Sequence, residues 1–188
     1  MMRIITGKAK GIKLKTLEGN ETRPTAERVK EAVFSMLQFD IEGRRVLDLF
    51  SGSGQLGLEA ISRGASYAVL VDRSREAIKI IEENAKRTRL YDQCKIINSD
   101  ASEYIRRAVG EKFDIIFLDP PYASDLYAPI LKAILKAKCI KPTSIIVLES
   151  DFENIIENDN ELADTFEVKK VSKYSKTVIT LIGLKETK

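Results

Sequence analysis

Short apolar runs that alternate with longer polar segments constrain the fold of this chain more than any other feature of its sequence. Each run consists mainly of apolar residues, which is typical of a strand buried on both faces of a parallel sheet. The segments between the runs are rich in Ala, Glu, Lys and Arg and have helical character. Strands that alternate with helices at this spacing predict a doubly wound α/β fold. The predicted strands are 45–50, 67–72, 94–98 and 113–118, and the predicted helices between them are 55–63, 74–90 and 102–109.

The last third of the chain completes this sheet. A helix is predicted over 127–137 and a fifth strand over 144–149. Two later β-type runs, 166–171 and 177–184, are separated by a short polar segment, as in an antiparallel pair that closes a sheet. The sequence therefore predicts a mostly parallel sheet of seven strands.

Residues 1–40 follow a different pattern. Ile4-Ile5 and Ile12-Lys13-Leu14 flank a polar, glycine-containing segment, which predicts a β-hairpin. A helix follows, with Thr25 as its predicted N-cap. Its apolar face consists of Val29, Ala32, Val33, Met36 and Leu37. We therefore expect an N-terminal extension of a hairpin and a helix ahead of a main domain over 41–188.

Residue types that are absent or rare exclude several classes of protein. The chain contains no histidine, which excludes every mechanism with an imidazole base and most zinc sites, so we expect no metal. Its two cysteines, Cys94 and Cys139, are far apart and in no paired motif, which favours a reducing, cytosolic setting. The N-terminus has no long apolar run, so we expect neither a signal peptide nor a membrane span.

Charge is unevenly distributed although the net charge is only +3. Residues 1–16 contain basic residues and no acidic one, and such an end can follow a phosphate backbone. Residues 149–164 contain acidic residues and no basic one, and we interpret this stretch as a solvated surface. The acidic residues are Glu149, Asp151, Glu153, Glu157, Asp159, Glu161 and Asp164.

A glycine-containing loop joins the first predicted strand to a helix. Gly52, Gly54 and Gly57 satisfy the pattern G-x-G-x-x-G, and Asp72 ends the next strand 20 residues after Gly52. A carboxylate at that position can accept hydrogen bonds from both hydroxyls of a ribose. This arrangement is compatible with a nicotinamide dinucleotide and with S-adenosylmethionine.

Two further carboxylates favour S-adenosylmethionine. Asp48 lies beside the loop, where it would repel a pyrophosphate but attract the ammonium and sulfonium groups of S-adenosylmethionine. Asp100 follows the third strand and is placed to accept a hydrogen bond from an adenine amino group. The alternative is that these acids are ordinary helix N-caps. The predicted cofactor-binding residues are Asp48, Phe50, Ser51, Gly52, Ser53, Gly54, Asp72, Arg73, Asp100 and Ala101.

The fourth strand leads into Asp119-Pro120-Pro121-Tyr122, which we predict to be the catalytic loop. An exocyclic amino group on a nucleobase is a poor nucleophile because its lone pair is delocalised into the ring. Two fixed acceptors, the Asp119 carboxylate and a carbonyl of the Pro-Pro unit, most simply that of Pro120, can hold its N–H groups and direct the lone pair. The prolines fix φ and carry no competing N–H, and Tyr122 provides a flat face for the base.

Other interpretations of this loop remain. Pro-Pro commonly marks a turn, so the loop could simply end a strand. Methylation of carbon through a cysteine adduct is disfavoured, because neither Cys94 nor Cys139 lies at the end of the fourth strand. Both cysteines are more typical of structural positions.

The ordered set of Asp48–Gly54, Asp72, Asp100 and Asp119–Tyr122 resembles class I methyltransferases of the D/N-P-P-Y type, which have a Rossmann-like sheet. Enzymes that act on adenine N6, guanine N2 and protein glutamine share such loops. The segments 3–14 and 23–34 resemble the bacterial RsmD family, whose members are 16S ribosomal RNA guanine-N2 methyltransferases. The segment Tyr174-Ser175-Lys176-Thr177 is also similar to that family.

This resemblance implies an S-adenosylmethionine-dependent enzyme that methylates a flipped-out guanine of 16S ribosomal RNA, in the small subunit or an assembly intermediate. It implies that the N-terminal extension contacts RNA. A single domain with no obvious interface predicts a monomer, and the cysteine usage predicts a cytoplasmic location. The implied RNA-binding residues are Lys8, Lys10, Lys13, Lys15, Arg23, Thr25 and Arg28. The alternatives are an adenine-N6 or protein N-methyltransferase, an NAD-dependent oxidoreductase, and a noncatalytic RNA-binding module.

Overall fold

The computed structural model describes residues 2–17, 24–121 and 125–186, with the side chains of 24–26 outside the description. Its strands are β1 (Arg45–Asp48), β2 (Tyr67–Asp72), β3 (Cys94–Asn98), β4 (Phe113–Leu118), β5 (Ile140–Ser150), β6 (Phe166–Tyr174) and β7 (Thr177–Leu184). Its helices are α1 (Pro24–Met36), α2 (Gln55–Ser62), α3 (Arg75–Arg87), α4 (Ala101–Arg107), α5 (Tyr127–Ala137) and α6 (Asn160–Thr165), with a short 3₁₀ turn at Tyr91–Gln93.

The strands form one seven-stranded sheet in the order β3-β2-β1-β4-β5-β7-β6. Strands β1 to β5 pair in parallel, whereas β7 is antiparallel to both β5 and β6. The prediction of a mostly parallel, doubly wound sheet closed by an antiparallel pair is confirmed. Among the described residues no helix is long and apolar enough to cross a membrane.

Several element bounds differ from the prediction. β5 begins at Ile140 rather than at residue 144. Its first residues are partly polar, and its pairing with β4 shifts register between Phe113 and Ile115, so no apolar run marks the start of the strand. β3 is half-exposed rather than buried on both faces, because it is the edge strand and has a neighbour on one side only. Helix α1 begins at Pro24, so Thr25 is not its N-cap. A proline suits the first helical position, because its φ is preset and it has no N–H to satisfy.

The sheet separates two apolar layers. Ile116 and Leu118 of β4 face the layer formed with α4, α5 and α6, whereas Ile115 and Phe117 face the layer formed with the hairpin, α1, α2 and α3. Phe34 of α1 packs against Phe117, with ring centroids 5.8 Å apart. The N-terminal extension is therefore part of the second layer and lies on the same face of the sheet as Phe117.

The predicted hairpin is present, with an antiparallel bridge between Arg3 and Lys13. It is held to the sheet domain by buried polar groups that no sequence pattern predicted. The Glu59 carboxylate on α2 accepts hydrogen bonds from the backbone N–H groups of Ile5 (2.7 Å) and Thr6 (3.0 Å). The Asn84 amide on α3 accepts one from the N–H of Lys15 (2.8 Å).

Candidate active site

The strand order brings the predicted acidic residues to one edge of the sheet. Asp72 of β2 pairs in register with Asn98 of β3, and Asp48 of β1 pairs with Phe117 of β4. The carboxyl ends of these parallel strands therefore lie side by side, where ligands of open α/β sheets bind. The strand order places the four carboxyl-end acids along this edge in the order Asp100, Asp72, Asp48 and Asp119.

Asp48 is only 2% exposed, and its Oδ2 accepts a hydrogen bond from the N–H of Gly57 at 3.2 Å. A Cβ added at Gly57 would lie 2.1 Å from Leu70 Cδ2, so a larger residue here would force the buried Leu70 side chain or α2 to shift. Burial and the nearby Asp72 carboxylate raise the pKa of Asp48 to about 7, against backbone N–H groups and the Ser51 side chain, which lower it. A buried carboxylate at the mouth of the loop favours a cationic ligand.

The Asp72 carboxylate shapes the loop itself. Its Oδ2 accepts a hydrogen bond from the N–H of Gly52 (2.9 Å) and its Oδ1 accepts one from the N–H of Ser74 (2.8 Å). Gly52 and Gly54 have φ values of 54° and 79°, a region that favours glycine. Each carboxylate oxygen has a second lone pair, so these bonds leave Asp72 able to accept from a ligand. The sequence predicted a ribose acceptor at Asp72 but not its role in organising the loop.

Asp100 has the helix-capping role considered as an alternative. Its Oδ1 accepts hydrogen bonds from the N–H groups of Ser102 (2.9 Å) and Glu103 (3.2 Å). Its Oδ2 accepts none from the described residues, and the side chain is exposed at the sheet edge. Capping by one oxygen therefore leaves the other directed to a ligand or to solvent.

The remaining predicted cofactor residues surround the same edge. Ser51 donates to the carbonyl of Asp48 (2.9 Å), and the carbonyl of Ser53 accepts from Asn84 Nδ2 (2.9 Å). Phe50 packs against the first apolar layer. Arg73 is exposed and Ala101 is buried at the start of α4.

Asp119 directly follows β4 and precedes a buried Pro120 and an exposed Pro121, whereas Tyr122 lies outside the described residues. Burial raises the pKa of Asp119 well above its usual range, and the negative charges of Glu149 and Asp48 raise it further. A carboxyl group of this kind can accept hydrogen bonds from an amino group, and its raised pKa makes it a stronger base than an ordinary carboxylate.

Glu149 is a site residue that sequence reasoning missed. We predicted that the whole acidic stretch 149–164 is a solvated surface, which is wrong at Glu149 because this residue belongs to β5, between β4 and β7. Burial raises its pKa to about 7. Glu149 lies at the end of an apolar run, beside the strand that carries Asp119, and this position could have indicated a site residue. Asp159, by contrast, caps α6 and pairs with Lys132.

The two cysteines lie away from this edge. Cys94 begins β3 and Cys139 precedes β5, so both are near the amino ends of the strands. Burial raises the pKa of the Cys94 thiol to about 12 and that of the Cys139 thiol to about 11. Neither is poised to be a thiolate nucleophile.

The predicted RNA-binding residues that the structure describes are exposed on the extension. Lys15 pairs with Glu83 (2.6 Å), and Lys8 donates to the Gln93 side chain. Arg28 lies on the exposed side of α1. Lys10 and Lys13 are also exposed on the hairpin, whereas Arg23 and the side chain of Thr25 lie outside the described residues.

Comparisons with known proteins agree with this architecture. A family model described as Conserved hypothetical protein 95 matches residues 2–183. YlbH of Bacillus subtilis strain 168, provisionally named an rRNA methyltransferase, is 39% identical over 154 residues that cover 81% of this chain and 84% of its own. Ribosomal RNA small subunit methyltransferase D of Escherichia coli K12 is 33% identical over 153 residues, which cover 81% of this chain and 76% of its own.

The solved structure of yhhF from Escherichia coli, provisionally described as a methyltransferase, superposes with a TM-score of 0.85. The superposition covers 99% of each chain at 27% identity. The fold similarity therefore includes the N-terminal extension as well as the sheet.

Proposed function

The chain belongs to the family described as Conserved hypothetical protein 95, and from this membership we propose that it transfers the methyl group of S-adenosylmethionine to the N2 amino group of a guanine in 16S ribosomal RNA. The membership confirms the resemblance to the RsmD family found in the sequence, since relatives of this family are named ribosomal RNA small subunit methyltransferase D. The chain is thus an S-adenosylmethionine-dependent rRNA methyltransferase. The choice of guanine N2, the small-subunit context and a monomeric enzyme are the further parts of the proposal.

One observation carries the proposal: the acceptor loop that begins at Asp119 lies at the same sheet edge as the buried Asp48 carboxylate and the glycine loop held by Asp72. This edge fits S-adenosylmethionine better than a dinucleotide. A buried carboxylate is attractive to an ammonium group and repulsive to a pyrophosphate. When bound, the cofactor supplies a methyl group activated by a sulfonium. Asp48 would hold its ammonium end, Asp72 its ribose and Asp100 its adenine.

The protein's own groups then act on the incoming amino group. The Asp119 carboxylate and the Pro120 carbonyl accept its two N–H groups and direct the nitrogen lone pair towards the methyl group. Tyr122 stacks on the base. The nitrogen becomes acidic once it is methylated, and Asp119, with its raised pKa, is suited to take up the released proton. Positioning and electrostatics account for most of the rate, so no histidine is required.

The extension is proposed to hold the RNA. Its exposed lysines, with Arg23, Thr25 and Arg28, contact phosphates near the mouth of the site. The target guanine leaves its stack to reach Tyr122. Affinity for RNA is expected to fall as salt concentration rises, because phosphate contacts release counterions.

The decisive experiment supplies labelled S-adenosylmethionine and small ribosomal subunits, or their assembly intermediates, and maps the modified nucleotide. We expect label on the N2 atom of one guanine of 16S RNA. Label on an adenine, on DNA or on protein would contradict the proposal. Enzyme with Asp119→Ala serves as the control for chemistry that does not depend on this site.

Cofactor binding is expected to weaken at acid pH through Asp48. Without ligand its pKa is raised to about 7, and an adjacent ammonium lowers it, so binding below pH 7 must release a proton. The affinity for S-adenosylhomocysteine should fall about tenfold from pH 8 to pH 6, since each pH unit below the free pKa costs up to a factor of ten. Calorimetry at both pH values in buffers of different ionisation enthalpy measures the affinity and the released proton.

The matched control is Asp48→Asn, which keeps an acceptor oxygen for the N–H of Gly57. This variant should bind S-adenosylhomocysteine about 10–100-fold more weakly at pH 8, because a hydrogen bond to a charged group is lost. Its affinity should be nearly independent of pH. A variant with wild-type pH dependence would show that another group titrates, and tight binding of NADH would favour the dinucleotide alternative.

A further inference from the structure

Glu149 and Asp119 lie side by side on one face of the sheet. Leu118 and Leu148 are register partners in the parallel pair β4–β5, so the next residues, Asp119 and Glu149, are neighbours across the strands. Phe117 and Val147, two residues earlier, both face the second apolar layer. Side chains alternate along strands, so both carboxylates project to that same face.

The part of the chain that the structure describes offers the two carboxylates few partners. Tyr127 aside, no donor of residues 2–17, 24–121 or 125–186 lies within hydrogen-bond distance of the Asp119 or Glu149 carboxylate, and no cation there pairs with either. The Tyr127 hydroxyl donates a hydrogen bond to the Glu149 backbone carbonyl at 2.5 Å. The two carboxylates can therefore accept hydrogen bonds from donors that arrive with a ligand.

The Glu149 carboxylate is not needed to hold the amino group that accepts the methyl group. Asp119 and the Pro120 carbonyl suffice to hold both N–H groups of an exocyclic amino group. Guanine carries a third donor beside its N2 amino group, the ring N1–H. Adenine has a bare ring nitrogen beside its amino group, which is an acceptor and is repelled by a carboxylate. A carboxylate adjacent to Asp119 therefore distinguishes the two bases by their Watson–Crick edges.

We propose that Glu149 is a specificity-determining residue that accepts a hydrogen bond from the N1–H of the target guanine while Asp119 accepts one from its N2 amino group. This inference rests on the proposed function and deepens it, since it explains how the site selects its base. The N–H donors of guanine relieve the repulsion between the two carboxylates. In the free protein, burial first and this repulsion second raise the pKa of Asp119. An adenine would leave that repulsion in place.

The test replaces the mapped guanine by 2-aminopurine, which keeps the 2-amino group but has a bare N1. The RNA is used in whichever form, free or assembled, is methylated in the labelling experiment. Wild-type enzyme should methylate guanine with a kcat/KM about 10–100-fold higher than 2-aminopurine, the value of a hydrogen bond to a charged group. Glu149→Gln should reduce this ratio towards one, because a glutamine can accept from guanine or donate to the bare nitrogen.

Two variants serve as controls. Glu153→Gln changes a neighbouring exposed glutamate, which pairs with Lys173, and should keep the wild-type ratio. Glu149→Ala should also lose the discrimination, and it tests the role independently if the glutamine variant folds poorly. Binding of S-adenosylhomocysteine is measured for every variant to confirm an intact cofactor site.

The outcomes separate the two proposals. Methylation of guanine N2 with an unchanged guanine to 2-aminopurine ratio in Glu149→Gln and Glu149→Ala would overturn the role of Glu149 and leave the proposed function standing. A uniform fall in rate on both bases would likewise overturn it, because that result indicates a residue that acts only through Asp119. Methyl label on adenine or protein would overturn both proposals.

Discussion

Replacing Asp119 by alanine is expected to lower kcat by about 10²–10³-fold, the usual loss when a preorganised polar contact to the reacting group is removed. Affinity for S-adenosylhomocysteine should change little, because the cofactor contacts are assigned to other carboxylates. Thermal stability should not fall, since the variant removes a shielded carboxylate whose pKa is raised by burial and by Glu149 and Asp48. Single-turnover kinetics, calorimetry and thermal unfolding measure the three quantities.

Asp119→Asn is the matched control. It keeps one acceptor oxygen in nearly the same volume but removes the charge and the capacity to take up a proton, so it should retain more activity than the alanine variant. The KM for RNA should change much less than kcat in both variants, because the lost interaction acts on the reacting nitrogen. An alanine variant with wild-type kcat would contradict the assignment of Asp119 and favour the noncatalytic RNA-binding alternative.

The parts of the fold that local patterns specify were predictable from the sequence. β2, β4 and β7 have the predicted bounds because each is a mainly apolar segment flanked by polar residues. The start of β5 was missed because Lys141 lies in an irregular pairing, where hydrophobicity does not mark the strand. The edge position of β3 depends on strand order, which is a property of the whole sheet.

The same distinction holds in the candidate site. Asp48, Asp72 and Asp119 could be predicted as site residues because each lies at or beside the carboxyl end of a predicted strand, and the carboxyl ends of parallel strands converge. Glu149 and the loop-organising bonds of Asp72 were missed, since they depend on which strand or loop lies alongside. In the sequence, Glu59 cannot be distinguished from an exposed charged residue of a helix. Only the structure shows that the hairpin covers its side chain.

Asp48, Asp119 and Glu149 have one property in common: burial raises the pKa of each carboxyl group above its usual range. Such groups cost stability when they are ionised without a partner. In the proposed complex, an ammonium meets Asp48 and base donors meet the other two. The unfavourable electrostatics of the free site would then become favourable contacts when cofactor and RNA are both bound.

The anchor of the extension leads to the second prediction of large effect: Glu59→Ala should lower the free energy of unfolding by about 3–5 kcal/mol, the usual cost of breaking a buried ion pair. The Glu59 side chain is 0% exposed and lies 3.6 Å from the ammonium of Lys30, which is 3% exposed. It also accepts from Arg63 Nε at 2.8 Å and from the N–H groups of Ile5 and Thr6. Removing it leaves the buried Lys30 ammonium with the Arg3 carbonyl (2.6 Å) but without its carboxylate, and leaves two backbone donors without their acceptor.

Burial already lowers the pKa of Lys30, against the Glu59 carboxylate that raises it, so the unpaired ammonium accounts for much of the expected loss. Urea unfolding measures the free energy, and the melting temperature should fall by roughly 6–20 °C at this chain length. Adding Lys30→Met to Glu59→Ala should restore part of the stability, because the buried charge without its carboxylate is removed.

Glu83→Ala is the matched control. Glu83 also pairs with a hairpin residue, Lys15, but the pair is exposed, so its loss should have little effect. If Glu59→Ala were no more destabilising than Glu83→Ala, the buried carboxylate would not be the anchor that holds the extension to the sheet domain.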